Sequence, residues 1–125
     1  MPGGWLDKGE EFAACARREL LEETGLDLGS AKSRTAPFVA NNIDMDGVHS
    51  VTIFEHLKPT WTEDREAKIM EPDKCAEWRW CRVDELPSPL FPPLAALVSS
   101  HYWQREIAVT TMLGAFPAEL EPGAE

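Results

Sequence analysis

A chain of 125 residues, 43% hydrophobic and 27% charged, has the composition of one soluble globular domain. Its net charge of −10 argues against a nucleic-acid polymer or an anionic membrane as partner, because like charges repel. Cys15, Cys75 and Cys81 form no C-x-x-C pair, which speaks against a disulfide framework or zinc knuckle and for reduced, cytoplasmic thiols. No run of about 18 apolar residues predicts a membrane span, and no basic-then-apolar leader is evident.

Residues 2–9, with Pro2-Gly3-Gly4 and Asp7-Lys8-Gly9, predict a loop. Glu10 to about Thr24 predicts a helix, its start favoured by acidic residues and its end set by Gly25. Arg34 to Asn42 predicts a strand in which Pro37 marks an edge or an end. Asp44-Met45-Asp46-Gly47 predicts a turn, and Val48 to Leu57, rich in Val, Thr, Ile and Phe, a second strand; together they make a hairpin. Residues 58–74 predict a long loop, a place where function often sits. Trp78-Arg79-Trp80-Cys81-Arg82 alternates as a half-buried strand does. After a rigid connector from Pro87 to Pro93, a helix is predicted from Pro92 to Gln104 with proline in its first turn, then a short strand from Ile107 to Met112. The order predicts an α/β protein of the α+β type, a mixed β-sheet packed between helices. A single domain over residues 1–116 is expected, with a disordered tail over 117–125.

The chemistry concentrates on the first helix. At about 100° per residue, Phe12, Cys15, Ala16, Glu19 and Glu23 share one side, so two carboxylates continue a stripe expected to face the core. Like charges four apart repel, and partial burial sharpens the conflict. With Glu22 beside them, three carboxylates cannot all stay ionised cheaply without a cation. A hard divalent ion, Mg²⁺ or Mn²⁺, resolves this. The plain alternative is a solvated acidic face paired with Arg17 and Arg18. Asp44-x-Asp46-Gly47 resembles the start of a calcium loop, but Val48, His49, Val51, Thr52 and Ile53 follow, and a hairpin turn explains it better. There is no phosphate loop of the G-x-x-x-x-G-K-[ST] type, no G-x-S-x-G and no H-E-x-x-H.

Gly4, five residues, Glu10, seven residues, then Arg18-Glu19-Leu20-x-Glu22-Glu23-x-Gly25-Leu26 resembles the Nudix box without a departure. Asn41-Asn42, His49-Ser50-Val51-Thr52-Ile53, Glu71-Pro72-Asp73-Lys74-Cys75, Trp78-Arg79-Trp80 and Leu86-Pro87-x-Pro89-Leu90-Phe91 resemble the cytosolic nucleotide-hydrolysing branch of that MutT-like family in plants and animals. The likeness covers residues 2–105. It implies the Nudix fold, with one departure. Family members carry residues before the Pro-Gly-Gly that supply the first strands and part of the substrate cradle, so the chain is expected to be N-terminally truncated.

The resemblance implies a Mg²⁺-dependent hydrolase of a phosphoanhydride in a nucleoside di- or triphosphate. Its products would be a nucleoside monophosphate and pyrophosphate or phosphate, in nucleotide-pool cleaning that includes 8-oxo-dGTP. Plant relatives also act on prenyl diphosphates, and the branch suggests a homodimer. It implies the Gly3 carbonyl, Glu19, Glu22 and Glu23 as metal ligands, with Glu22, Glu23 and Glu71 as the catalytic acids; Glu22 or Glu71 is the candidate proton acceptor, and for Glu71 the alternative is one more loop acid. Glu10 and Arg18 form a pair bracing loop to helix and orienting a carboxylate. Cys75 is read as packing. Asn41 and Asn42 can hydrogen-bond a base edge or serve a turn; Phe91 can stack on a base or pack in the core; His49 can meet a phosphate or lie as a plain surface histidine. A reading of another class stands beside these: a catalytically impaired fragment acting as a binding module, its exposed sheet edge seeking a partner strand.

Overall fold

The computed structural model of the chain describes residues 1–29, 31–59, 66–107 and 117–119. In chain order these form helix α1 (Phe12–Thr24), strand β1 (Lys32–Met45), strand β2 (Val48–Lys58), strand β3 (Trp80–Arg82), helix α2 (Pro92–Val98), a π-helix over Trp103–Ile107 and strand β4 (Pro117–Glu119). β1 pairs with β2, and β3 with β4. Helices and strands thus mix along one chain, as the element order predicted. The described residues gather into two compact units. One holds residues 1–35 and 55–80 with Glu119; the other holds 36–54, 81–107 and 117–118.

In the first unit, α1 begins two residues later than expected. Glu11 takes the N-cap position without a side-chain cap, and no acid lies in the first turn. Its end is as predicted: Gly25 adopts φ 75° and its N–H donates to the Leu21 carbonyl. Thr24 is fully buried; its hydroxyl donates to the Leu20 carbonyl at 2.6 Å and accepts from the Leu26 N–H at 3.2 Å. That turn directs Leu26 inward, where Leu20, Leu26, Leu28 and Ala31 form the core, with Leu57, Ala67 and Trp80 packed on it. Each leucine so buried contributes about 1.5–3 kcal/mol.

In the second unit, Asp46 and Gly47 turn the hairpin with φ 55° and 75°, the paired positive values that an Asp-Gly turn of type I′ requires. β1 runs longer than predicted at both ends and carries Pro37 inside it, tolerated because among the described residues β1 pairs with β2 alone, on one edge. One face of the ribbon is inward, with Ala36, Ala40 and Phe54 buried and the Phe38 and Phe54 rings 6.2 Å apart. The other exposes Val39, Ile43, Val51 and Ile53.

The helix predicted over Pro92–Gln104 is interrupted. α2 stops at Val98, because the Ser100 hydroxyl donates to the Leu97 carbonyl at 2.6 Å and accepts from the Trp103 N–H at 3.2 Å, a side chain competing with the backbone ladder. Ile107 closes the π-helix rather than opening a strand, and the rest of the predicted strand, 108–112, lies outside the described residues. Pro117–Glu119, expected in a disordered tail, instead forms β4 by pairing with β3.

Candidate active site

All of the predicted metal-site residues fall in the first unit, where α1 meets the loop over residues 3–11. The Gly3 N–H donates to Glu23 Oε2 at 3.1 Å. Gly4 lies against the Glu19 carboxylate so closely that a Cβ there would overlap Oε1, Cδ and Oε2. A side chain at residue 4 would have to displace that carboxylate, a close approach that glycine permits. A Cβ at Gly3 would meet nothing within 4 Å, so only its backbone matters.

Arg18 is the hub. Its Nε donates to Glu10 Oε2 at 2.8 Å and its Nη2 to Glu10 Oε1 at 3.0 Å, a bidentate pair. Nη2 also donates to the Trp5 carbonyl at 3.1 Å, while Nη1 reaches Glu19 Oε1 at 2.9 Å and Glu22 Oε2 at 3.4 Å. The Arg18 guanidinium, with the Asp7 N–H that Glu10 also accepts, holds the Glu10 carboxyl down at about 2. The same carboxylates raise Arg18 further. Glu10 and Arg18 thus tie the loop to the helix, and Arg18 bonds both Glu19 and Glu22.

Glu23 is the stressed carboxylate. Burial pushes its carboxyl up, the Gly3 N–H opposes this, and the charges of Glu19 and Glu71 push it up further. Glu71 is paired on its outer side with Lys74 at 3.4 Å. Among the described residues no three acidic, histidine or cysteine side chains converge as a finished metal-binding group. Still, the donor set suits a divalent cation: oxygen ligands only, with mutually repelling acids that an ion would compensate.

The stripe expected to face the core meets a loop instead. The side of α1 that bears Glu19 and Glu23 does not face the hydrophobic core. Leu20 and Thr24 do, whereas Phe12 is exposed and Cys15, Glu19 and Glu23 are covered by the backbone of residues 3–5, with the Cys15 thiol donating to the Trp5 carbonyl at 3.7 Å. Burial and the neighbouring Glu10 raise the Cys15 thiol. Arg17 does not pair with the acids either; it donates to the Ala31 carbonyl at 2.7 Å.

The predicted substrate residues lie in the second unit. Asn41 Oδ1 and His49 Nε2 are 2.6 Å apart on the exposed ribbon face, and Asn42, buried, donates to Ser50 at 3.2 Å and Thr52 at 2.7 Å. Phe38, Asn41, Asn42, Pro92 and Ala96 line a cavity of about 340 Å³. Phe91, half-buried at the N-cap of α2, is not among its walls. Cys75 is buried, its thiol donating to the Glu77 carbonyl at 3.6 Å, as packing would have it.

Trp78, expected in a strand, reaches the helix that carries the acids. The Trp78 indole N–H donates to the Glu23 carbonyl at 3.1 Å across 55 positions, a pairing that no local pattern signals.

A family model of the NUDIX domain matches residues 1–101. This chain belongs to the Nudix family. Among curated proteins, this Nudix chain is 32% identical over 102 residues to an RNA pyrophosphohydrolase of Caulobacter vibrioides, covering 73% of the chain and 59% of that protein. It is 29% identical to one of Wolbachia pipientis subsp. Culex pipiens, covering 74% of the chain and 63% of the relative. The chain thus spans about three-fifths of the length of the relatives it matches. Among the described residues, no helix of this Nudix domain is long and apolar enough to cross a membrane.

Proposed function

We propose that this chain is a divalent-cation-dependent pyrophosphohydrolase that cleaves a phosphoanhydride of a nucleoside di- or triphosphate, 8-oxo-dGTP among the candidates. The observation that carries the reading is the close fit of Gly3-Gly4 to Glu23 and Glu19 within a complete Nudix box. The Gly3 carbonyl, Glu19, Glu22 and Glu23 would hold Mg²⁺ or Mn²⁺, which neutralises phosphate charge and favours displacement at phosphorus. Arg18 would keep Glu19 and Glu22 oriented while anchored on Glu10. Glu22 or Glu71, both solvent-accessible, would accept the proton of the attacking water. Asn41, Asn42, His49 and Phe91 are the candidate contacts to the organic half.

A second reading of the substrate is favoured by the relatives' names: the nucleotide would be the 5′ end of an RNA. The charge of −10 would then confine binding to the polyphosphate terminus rather than the polymer backbone. The test is hydrolysis with Mg²⁺ across nucleoside triphosphates, 8-oxo-dGTP, prenyl diphosphates and 5′-triphosphorylated RNA, with Glu23→Gln and an EDTA control alongside. Turnover that vanishes in both controls supports the proposal. Folded protein inactive on every substrate, or fully active in EDTA, overturns it.

A further inference from the structure

The last carbonyls of a helix have no partner within it, and at the end of α1 they are taken up in an unequal way. Gly25 satisfies Leu21 locally at 2.9 Å. The last two turn to the distant segment 66–80: the Lys68 N–H donates to the Thr24 carbonyl at 2.7 Å, and the Trp78 indole donates to the Glu23 carbonyl at 3.1 Å. Segment 66–80 is therefore pinned at two points to the turn that carries Glu22 and Glu23. Between the pins, the Glu71 carbonyl accepts from the Lys74 and Cys75 N–H groups at 2.9 and 3.0 Å, and Cys75 is buried. Glu71 heads a closed turn held at both flanks.

We propose that Trp78 is a positioning residue, whose indole N–H clamps the Glu71 turn onto α1 so that Glu71 joins Glu23 in holding the divalent cation. This rests on the metal site of the proposed function. The hydrogen bond acts on the main chain of Glu23, so it sets the place of the loop without touching the ion. Nothing in α1 alone brings the Glu71 turn to it: Glu71 is 48 positions from Glu23, and the two pins hold its segment to the end of the helix.

The test is Mn²⁺ binding followed by electron paramagnetic resonance on the whole chain, with thermal denaturation in parallel. Wild type, Trp78→Phe, Glu71→Gln, the double variant and Glu23→Gln are compared. Loss of one neutral hydrogen bond predicts about three- to tenfold weaker Mn²⁺ binding in Trp78→Phe. Adding Trp78→Phe to Glu71→Gln should weaken binding little further, since both act through one contact. A Trp78→Phe protein that melts lower yet binds Mn²⁺ like wild type overturns the clamp and leaves Trp78 merely structural. Should Trp78→Phe fail to fold, Glu71→Gln decides: half-exposed, it should fold, and unchanged Mn²⁺ affinity would overturn the inference. Wild type that binds no Mn²⁺ refutes the metal site itself, and the clamp with it. Binding lost in Glu23→Gln but kept in Trp78→Phe refutes the clamp alone.

Discussion

Gly4→Ala is the substitution whose consequence the structure specifies most sharply. The added Cβ would lie inside 3.0 Å of three atoms of the Glu19 carboxylate, so the carboxylate must move. That carboxylate is 14% exposed and bonded at 2.9 Å to Arg18 Nη1, so moving it breaks a charge-assisted bond worth about 1.5–3 kcal/mol. Arg18 is 29% exposed, and solvent screening favours the lower figure, about 1.5 kcal/mol. For a chain of this size such a loss lowers Tm by roughly 5 °C, and Mn²⁺ affinity should fall with the displaced ligand. Gly3→Ala is the control: its Cβ meets nothing within 4 Å and its N–H to Glu23 survives, so stability and affinity should stay near wild type. Calorimetric melting and Mn²⁺ titration of the two variants provide the comparison. A Gly4→Ala protein with wild-type Tm and wild-type affinity, or a Gly3→Ala protein impaired as badly, would refute the geometry argued for this corner.

Glu23→Gln should lower turnover by orders of magnitude while circular dichroism and Tm stay close to wild type, because the amide can still accept from Gly3. Glu10 is held near 2 by Arg18, below its ordinary value, so its contribution is present above the unfolded carboxylate range and is lost as pH falls toward 2; the Tm gap between wild type and Glu10→Gln should therefore shrink from pH 5 to pH 2, and a gap that widens on acidification contradicts the pairing. Thr24→Val removes a buried hydroxyl that serves Leu20 and Leu26, stranding the Leu26 N–H at a cost of about 1–3 kcal/mol, readable as a lower urea midpoint. Cys75→Ser should leave turnover largely intact, since the buried thiol donates to a loop carbonyl; a dead variant would place it in the chemistry.

What could be read from residue order alone is what short-range physics encodes. The α1 stop at Gly25 and the hairpin at Asp46-Gly47 follow from positive-φ geometry in neighbouring residues. The Gly4–Leu26 spacing declares the family, and it brings Glu10 to Arg18 because loop and helix are adjacent in the chain. The stripe of Phe12, Cys15, Glu19 and Glu23 was legible as a stripe, but not what covers it. Helical period shows which residues share a side; it does not say whether that side meets the core or a loop.

Those choices belonged to tertiary packing. Gly3 and Gly4 look alike in sequence, yet only Gly4 lies under a carboxylate. Arg17 and Arg18 are neighbours, yet one turns to Ala31 and the other to the acids, because a helix sends consecutive side chains about 100° apart. Trp78 reads as a strand residue and instead holds the Glu23 carbonyl. Such contacts join positions tens of residues apart. Propensity and spacing are local quantities, so they name the acids of this site, while the folded chain alone determines which backbone groups hold them.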